Sequence, residues 1–241
     1  MPDTLERWEV MHHGPLVEID DGILTVAGTI KMPLGEFPRR MTVVRLAGGG
    51  AAIWSAIALD EDEMARIEAM GTPAFLIVPS DHHRLDARIW KQRYPDMAVV
   101  TPPGARDAVE EIVPVDANDD VLGDPAVRFV TMPGTGGHES ALVITRRGGT
   151  TLVVNDLIGN LRYPDGLLQH IMGRLMGFGV SEPQVPRVIR HKLVEDPKAL
   201  ARQFRDWAAI PDLDRIIVSH GDPIESDPAG VLNDLADTLD A

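Results

Sequence analysis

Asp81, His82, His83 and Asp86 fall within six positions, directly behind the apolar run Ala74–Val78 and Pro79. Adjacent histidines between aspartates offer both imidazole nitrogen and carboxylate oxygen, the donor types that bind zinc or iron. Three further stretches repeat the arrangement. His138 follows the run Val127–Met132, Asn155 and Asp156 follow Thr150–Val154, and His220 follows Arg215–Ser219. Taken singly, each has a plain reading. A loop histidine is usually solvated, an Asp behind a strand often caps a helix, and Asp86 is expected to face solvent on a first helical turn. Taken jointly, four histidines and up to three aspartates behind four apolar runs match the ligand demand of one or two hydrolytic metal ions.

Those residues share a site only if the runs are strands whose ends meet on one rim of a layered α/β fold. The sequence supports the strands. Leu16–Ile19 and Ile23–Ala27 flank the turn signal Asp20-Asp-Gly22, and Met41–Arg45 and Ala51–Ser55 flank Gly48-Gly-Gly50, giving two hairpins. Lys31 to Pro38, with two prolines and a glycine, reads as a loop. A capping box at Asp60 and Glu63 opens a helix that stops at Gly71. Strand and helix then alternate: Ala74–Val78, a helix over Arg84–Arg93, Met97–Val100, a short helix near Arg106–Glu111, and Val127–Met132. A hairpin of Ala141–Thr145 and Thr150–Val154 follows. A less regular, partly helical insert is expected at about 158–195. Asp196-Pro197 starts a helix with Leu200, Phe204, Trp207 and Ala208 on one face. Arg215–Ser219 is the last strand, and Asp227-Pro228 opens a closing helix.

Composition narrows the function. The chain has 241 residues, 44% of them hydrophobic, enough for a proper core in one domain. Its 37 acidic and 23 basic residues give a net charge of −14, a field that repels nucleic acid and anionic lipid. With no cysteine, disulfides, thiolate-bound zinc and iron–sulfur clusters are excluded. The acidic N-terminus has no apolar core of a signal peptide, and no apolar run reaches membrane-spanning length. The expectation is a soluble, cytoplasmic protein acting on a small molecule. Gly-x-Ser-x-Gly, P-loop, dinucleotide-fingerprint and His-Glu-x-x-His motifs are all missing from the sequence. The Met- and Gly-rich segment 166–180 reads as a helix buried against the body or against a second copy in a homodimer. A lid over an apolar substrate is the sharper alternative. Arg187, Arg190, His191 and Lys192 read as a solvated basic face, and His12-His13 as a solvated pair.

In order, these motifs resemble those of the metallo-β-lactamase superfold. That family runs His-x-His-x-Asp-His, then Gly-His, then a bridging Asp after an apolar strand, then a His after the last strand. Asp81-His82 is similar to the end of the first motif, Gly137-His138 to the second, Val153-Val-Asn-Asp156 to the third and Val218-Ser-His-Gly221 to the fourth. The chain looks like a divergent branch whose first motif has become His-His, followed by Trp90 and Tyr94-Pro95. The resemblance implies an αββα sandwich of two sheets between helices, with ligands on loops at one edge.

The first motif departs from the pattern. With Asp81-His82 in register, the family's first two histidines fall on Ile77 and Pro79. With His82-His83 in register, they fall on Val78 and Ser80. Either register removes two histidines of one metal site, so the resemblance implies one divalent ion, zinc or iron. Under the first register its ligands are Asp81, His82 and His220 with Asp156, and His138 is a further ligand. His83 backs these or replaces one of them. The implied function is hydrolysis of an ester, thioester or lactone by metal-bound hydroxide, with Asp81 orienting the water. The rival is a binding or scaffold protein on the same fold without turnover.

Overall fold

The two turn signals near the N-terminus close as hairpins and build the first sheet. The computed structural model describes residues 4–32, 35–161 and 182–241. Strand β1 (Val17–Asp20) turns through Gly22, at φ 69°, into β2 (Ile23–Met32). β2 pairs antiparallel with β3 (Gly35–Arg45), and β3 with β4 (Gly50–Trp54). Of the loop expected over Lys31–Pro38, the described residues 31–32 and 35–38 are instead strand, because the β2–β3 ladder runs out to Met32 opposite Gly35. Pro38 is tolerated there because β4 pairs only with Thr42–Arg45, leaving the start of β3 as an edge that needs no second ladder. Parallel strands β5 (Thr72–Ile77) and β6 (Ala98–Val100) complete the order β1-β2-β3-β4-β5-β6.

Helix α1 (Glu61–Met70) lies between β4 and β5, and α2 (Ala87–Arg93) between β5 and β6. The capping box expected at α1 does not form. Asp60 makes no side-chain cap, and the Glu63 carboxylate accepts instead from the Leu16 amide at 2.9 Å. Met64 and Ile67 of α1 and Trp90 of α2 join Met41, Val43, Ile53 and Leu76 of the sheet in one core. Arg93 lies over the Trp8 ring at 4.8 Å and donates to both oxygens of Glu61, which ties the N-terminal segment to both helices. A short α3 (Arg106–Glu110) follows β6.

The chain divides into two compact units at Phe129 and Val130. The second unit is built on a four-stranded sheet in the order β10-β9-β8-β7. Its strands are β7 (Val127–Thr131), β8 (Ser140–Arg146), β9 (Gly149–Asn160) and β10 (Leu213–Gly221), with β9 and β10 parallel. β9 runs six residues past the expected end at Val154 and is buried throughout. The irregular insert therefore begins later than Ile158. It contains α4 (Arg187–Lys192), and residues 162–181, including the 166–180 segment, lie outside the described residues.

Helices α5 (Pro197–Ala208) and α6 (Pro228–Asp240) form as their caps dictate. Asp196 Oδ1 accepts from the Ala199 amide at 3.0 Å, with Pro197 at the first helical position. The α5 face of Leu200, Phe204 and Trp207 and the α6 face of Leu232, Leu235 and Leu239 share a core with Leu152, Val154, Ile216 and Val218. Among the described residues, no helix is long and apolar enough to cross a membrane.

Candidate metal centre

In the first unit the loop between β5 and α2 carries Asp81, His82, His83 and Asp86. Its start is fixed to β6: the Val78 amide donates to Val100 O at 2.9 Å, and Thr101 Oγ1 donates to Val78 O at 2.8 Å. Its end is fixed by Asp86, which is 2% exposed rather than solvated. Asp86 makes no helix cap. Its carboxylate accepts from Arg39 Nη1 and from the Ala58 amide. Burial pushes the Asp86 carboxyl above the usual aspartate range, against the opposing pull of Arg39 and of the Ala58 amide. The expectation of a solvent-facing Asp86 is thus corrected. Its partners lie 28 and 47 residues away, beyond the reach of helix-start logic.

Held at both ends, the loop sorts its two histidines. The His82 side chain is 63% exposed, with Nε2 3.7 Å from Asp81 Oδ1. His83 is partly buried, and its Nδ1 lies 2.8 Å from Ser55 Oγ, a hydrogen bond. Asp81 Oδ1 is buried and has no hydrogen-bond partner among the described residues. A desolvated carboxylate oxygen without a hydrogen bond is costly and calls for a ligand.

In the second unit Asp156 and His220 come together, with Asp156 Oδ1 2.8 Å from His220 Nε2 and both side chains buried. The two sit in β9 and β10 rather than beyond them. An irregular ladder allows this. Val218 pairs with Val154, but His220 pairs with Gly159, so two steps on β10 oppose five on β9. The extra residues, Asn155 to Ile158, bulge from the pairing at the position where Asp156 is needed, as bulges near sites do. Gly221, at φ 116°, lets β10 pass Asn160 closely: a Cβ there would lie 2.2 Å from Asn160 O.

His138 ends the loop Pro133–Gly137, in which Gly134, Gly136 and Gly137 all have positive φ. Gly134 O accepts from the Glu195 and Asp196 amides, so the loop is anchored to the start of α5. His138 Nδ1 is buried and lacks a hydrogen-bond partner among the described residues. His138 does not complete a three-ligand group with Asp156 and His220 in which all ligand atoms lie within 4.8 Å of one another. Behind it, Glu139 is fully buried and accepts from Asn155 Nδ2 at 3.2 Å. Glu139 and Ser55 were not selected from the sequence. For Ser55 the sequence carries a signal, since it is the polar last residue of the apolar run Ala51–Ser55. Glu139, beside His138, gave none, because an isolated Glu reads as solvated.

Two chemistries fit these parts. A carboxylate on an imidazole can orient it as a general base, or the two can supply oxygen and nitrogen to one metal ion. The donor set suits a divalent transition metal: imidazole and carboxylate, with no thiolate in the chain. In the second unit, the orphaned buried Nδ1 of His138 agrees with a site that takes a further ligand.

No protein-family model and no curated protein matches the sequence. Solved structures do. The chain is similar to a metallo-β-lactamase from Erythrobacter litoralis at 15% identity, covering 92% of this chain and 96% of that one, with a TM-score of 0.62. The metallo-β-lactamase FIM-1 from Pseudomonas aeruginosa, in its mono-zinc form, matches at 12% identity over 95% of this chain and 96% of its own, with a TM-score of 0.61. A metallo-β-lactamase from Pontibacter korlensis matches at 12% identity over 92% and 98%, also with a TM-score of 0.61. At such identities the likeness establishes the fold. The chain has the metallo-β-lactamase fold, the α+β sandwich that its motif order implied.

Proposed function

We propose that the protein is a metal-dependent hydrolase with a one-metal site, acting on a small ester, thioester or lactone. From the motif order Asp156 and His220 are assigned as its ligands, with His83 and His138 as further donors. The exposure of His82 disfavours it as a ligand, so the His82-His83 register of the first motif is preferred. Held by these residues, a divalent ion would supply a bound water with its pKa lowered towards roughly 7, and Lewis-acid polarisation of the bond to be broken.

The chain's own groups do the rest. Asp156 fixes the orientation of His220 through their 2.8 Å contact, and the burial of both keeps competing water away. Asp81, whose buried Oδ1 makes no hydrogen bond among the described residues, accepts the hydrogen bond of the attacking water and then its proton. The observation that carries the reading is the buried Asp156–His220 pair, an acid and an imidazole removed from solvent at the bulge of β9. A mono-zinc form of FIM-1, on the same fold, supports one ion as a workable complement.

Elemental analysis of protein purified without chelator tests this. The expected result is about one zinc or iron per chain. Hydrolysis of a panel of esters, thioesters and lactones should be lost on chelation and restored by the ion. His220→Ala should be folded and substoichiometric in metal. A stable, metal-free and inactive parent protein would instead favour the binding or scaffold reading.

A further inference from the structure

Among the described residues only two non-glycine residues have positive φ, Ser55 at 51° and Asp227 at 50°. Asp227 has a local reason, since its carboxylate caps α6 by accepting from the Gly230 amide. Ser55 caps nothing. It sits immediately after β4, is 6% exposed, and its amide donates to Ile77 O at 3.0 Å, which holds its backbone against β5. A glycine would adopt this conformation without the strain that a left-handed non-glycine residue carries. The serine must therefore supply something that glycine lacks. Its Oγ lies 2.8 Å from His83 Nδ1.

We infer that Ser55 is the positioning residue for His83. The His83 Nδ1–H donates to Ser55 Oγ, which fixes the ring's orientation and puts the ring's lone pair on Nε2. The assignment rests on the reading of His83 as a ligand, where an imidazole bound through one nitrogen is held by a hydrogen bond at the other. It also accounts for a strained serine between a strand and a loop. The strain is retained because β4, β5 and the histidine loop all converge on that one residue.

Two variants separate this role from a merely structural one. Ser55→Gly removes the hydroxyl and relieves the backbone, so it should be at least as stable as the parent. Ser55→Ala removes the hydroxyl and keeps the strain. The first readout is the His83 ring-nitrogen NMR spectrum of metal-free protein at about pH 8.5, above the ordinary His range near 6.5. The parent should show the Nδ1–H tautomer, and both variants should move towards the Nε2–H form. The second readout is zinc affinity against a competing chelator, expected to weaken by about 10- to 100-fold in both variants. An Nε2–H tautomer in the parent, identical nitrogen shifts in all three proteins, or an unchanged affinity would overturn the assignment. If the parent binds no zinc, the ligand reading of His83 fails, and the nitrogen spectrum still decides whether Ser55 holds the ring.

Discussion

Asp86→Ala should destabilise the protein by about 3–5 kcal/mol, the cost of leaving a buried charge without its counter-ion. Arg39 is 7% exposed, and its Nε and Nη2 already lack hydrogen-bond partners among the described residues. Removing the carboxylate strands the guanidinium and also frees the Ala58 amide. In a chain of this size the melting temperature should drop by roughly 6–20 °C, at about 2–4 °C per kcal/mol. The paired replacement Arg39→Met with Asp86→Leu should return stability to the parent level or above, because it also removes the desolvation cost. The direction of the Asp86 shift agrees, since burial outweighs the pull of Arg39 on the carboxyl. Its sign has a pH consequence. With its folded pKa raised, Asp86 favours the folded state below its ordinary value of 3.8, and that contribution is lost as pH rises through the higher folded value. Chemical denaturation of the parent, the single variant and the pair measures all three effects.

Gly221→Ala should be of similar size and should reach the proposed site as well. The residue has φ 116°, a region that L side chains avoid. Its new Cβ would meet Asn160 O at 2.2 Å and Asn160 C at 2.4 Å, both backbone atoms of the adjacent strand. Left-handed strain of about 1–3 kcal/mol and overpacking of about 1–3 kcal/mol act on one position. The combined loss should be about 2–6 kcal/mol. Because β9 must move to make room, the ladder around His220 and Gly159 shifts too. Metal affinity should weaken in the fraction that remains folded. Denaturation and a zinc titration on the same preparation measure the two effects, and stability and affinity both at the parent level would contradict the packing described.

The strands were largely legible in the sequence because their apolar runs are bounded by turn residues, as at Asp20-Asp-Gly22. The reach of β9 was not. Asn155 and Asp156 interrupt its apolar pattern, and the bulge opposite β10 that places them is a tertiary feature. The prolines of Lys31–Pro38 mislead for a related reason: proline signals a loop unless the strand is an edge, and edge status is a tertiary fact. At the site, the strand-end pattern picked out Asp156 and His220, which the fold brings into contact. The choice between His82 and His83 depended on burial and on Ser55, neither readable from an adjacent pair of identical residues. Asp86 was assigned to solvent because its true partner, Arg39, is on another strand.

Zinc K-edge X-ray absorption on the zinc-loaded protein is the most direct test of a one-metal centre built from imidazole and carboxylate. The spectrum should fit a shell of nitrogen and oxygen at about 2.0–2.2 Å, with imidazole scattering and no metal neighbour at about 3.5–4 Å. The imidazole signal should diminish or vanish in His220→Ala. A metal–metal vector in that range, or the same spectrum with and without His220, would contradict the account.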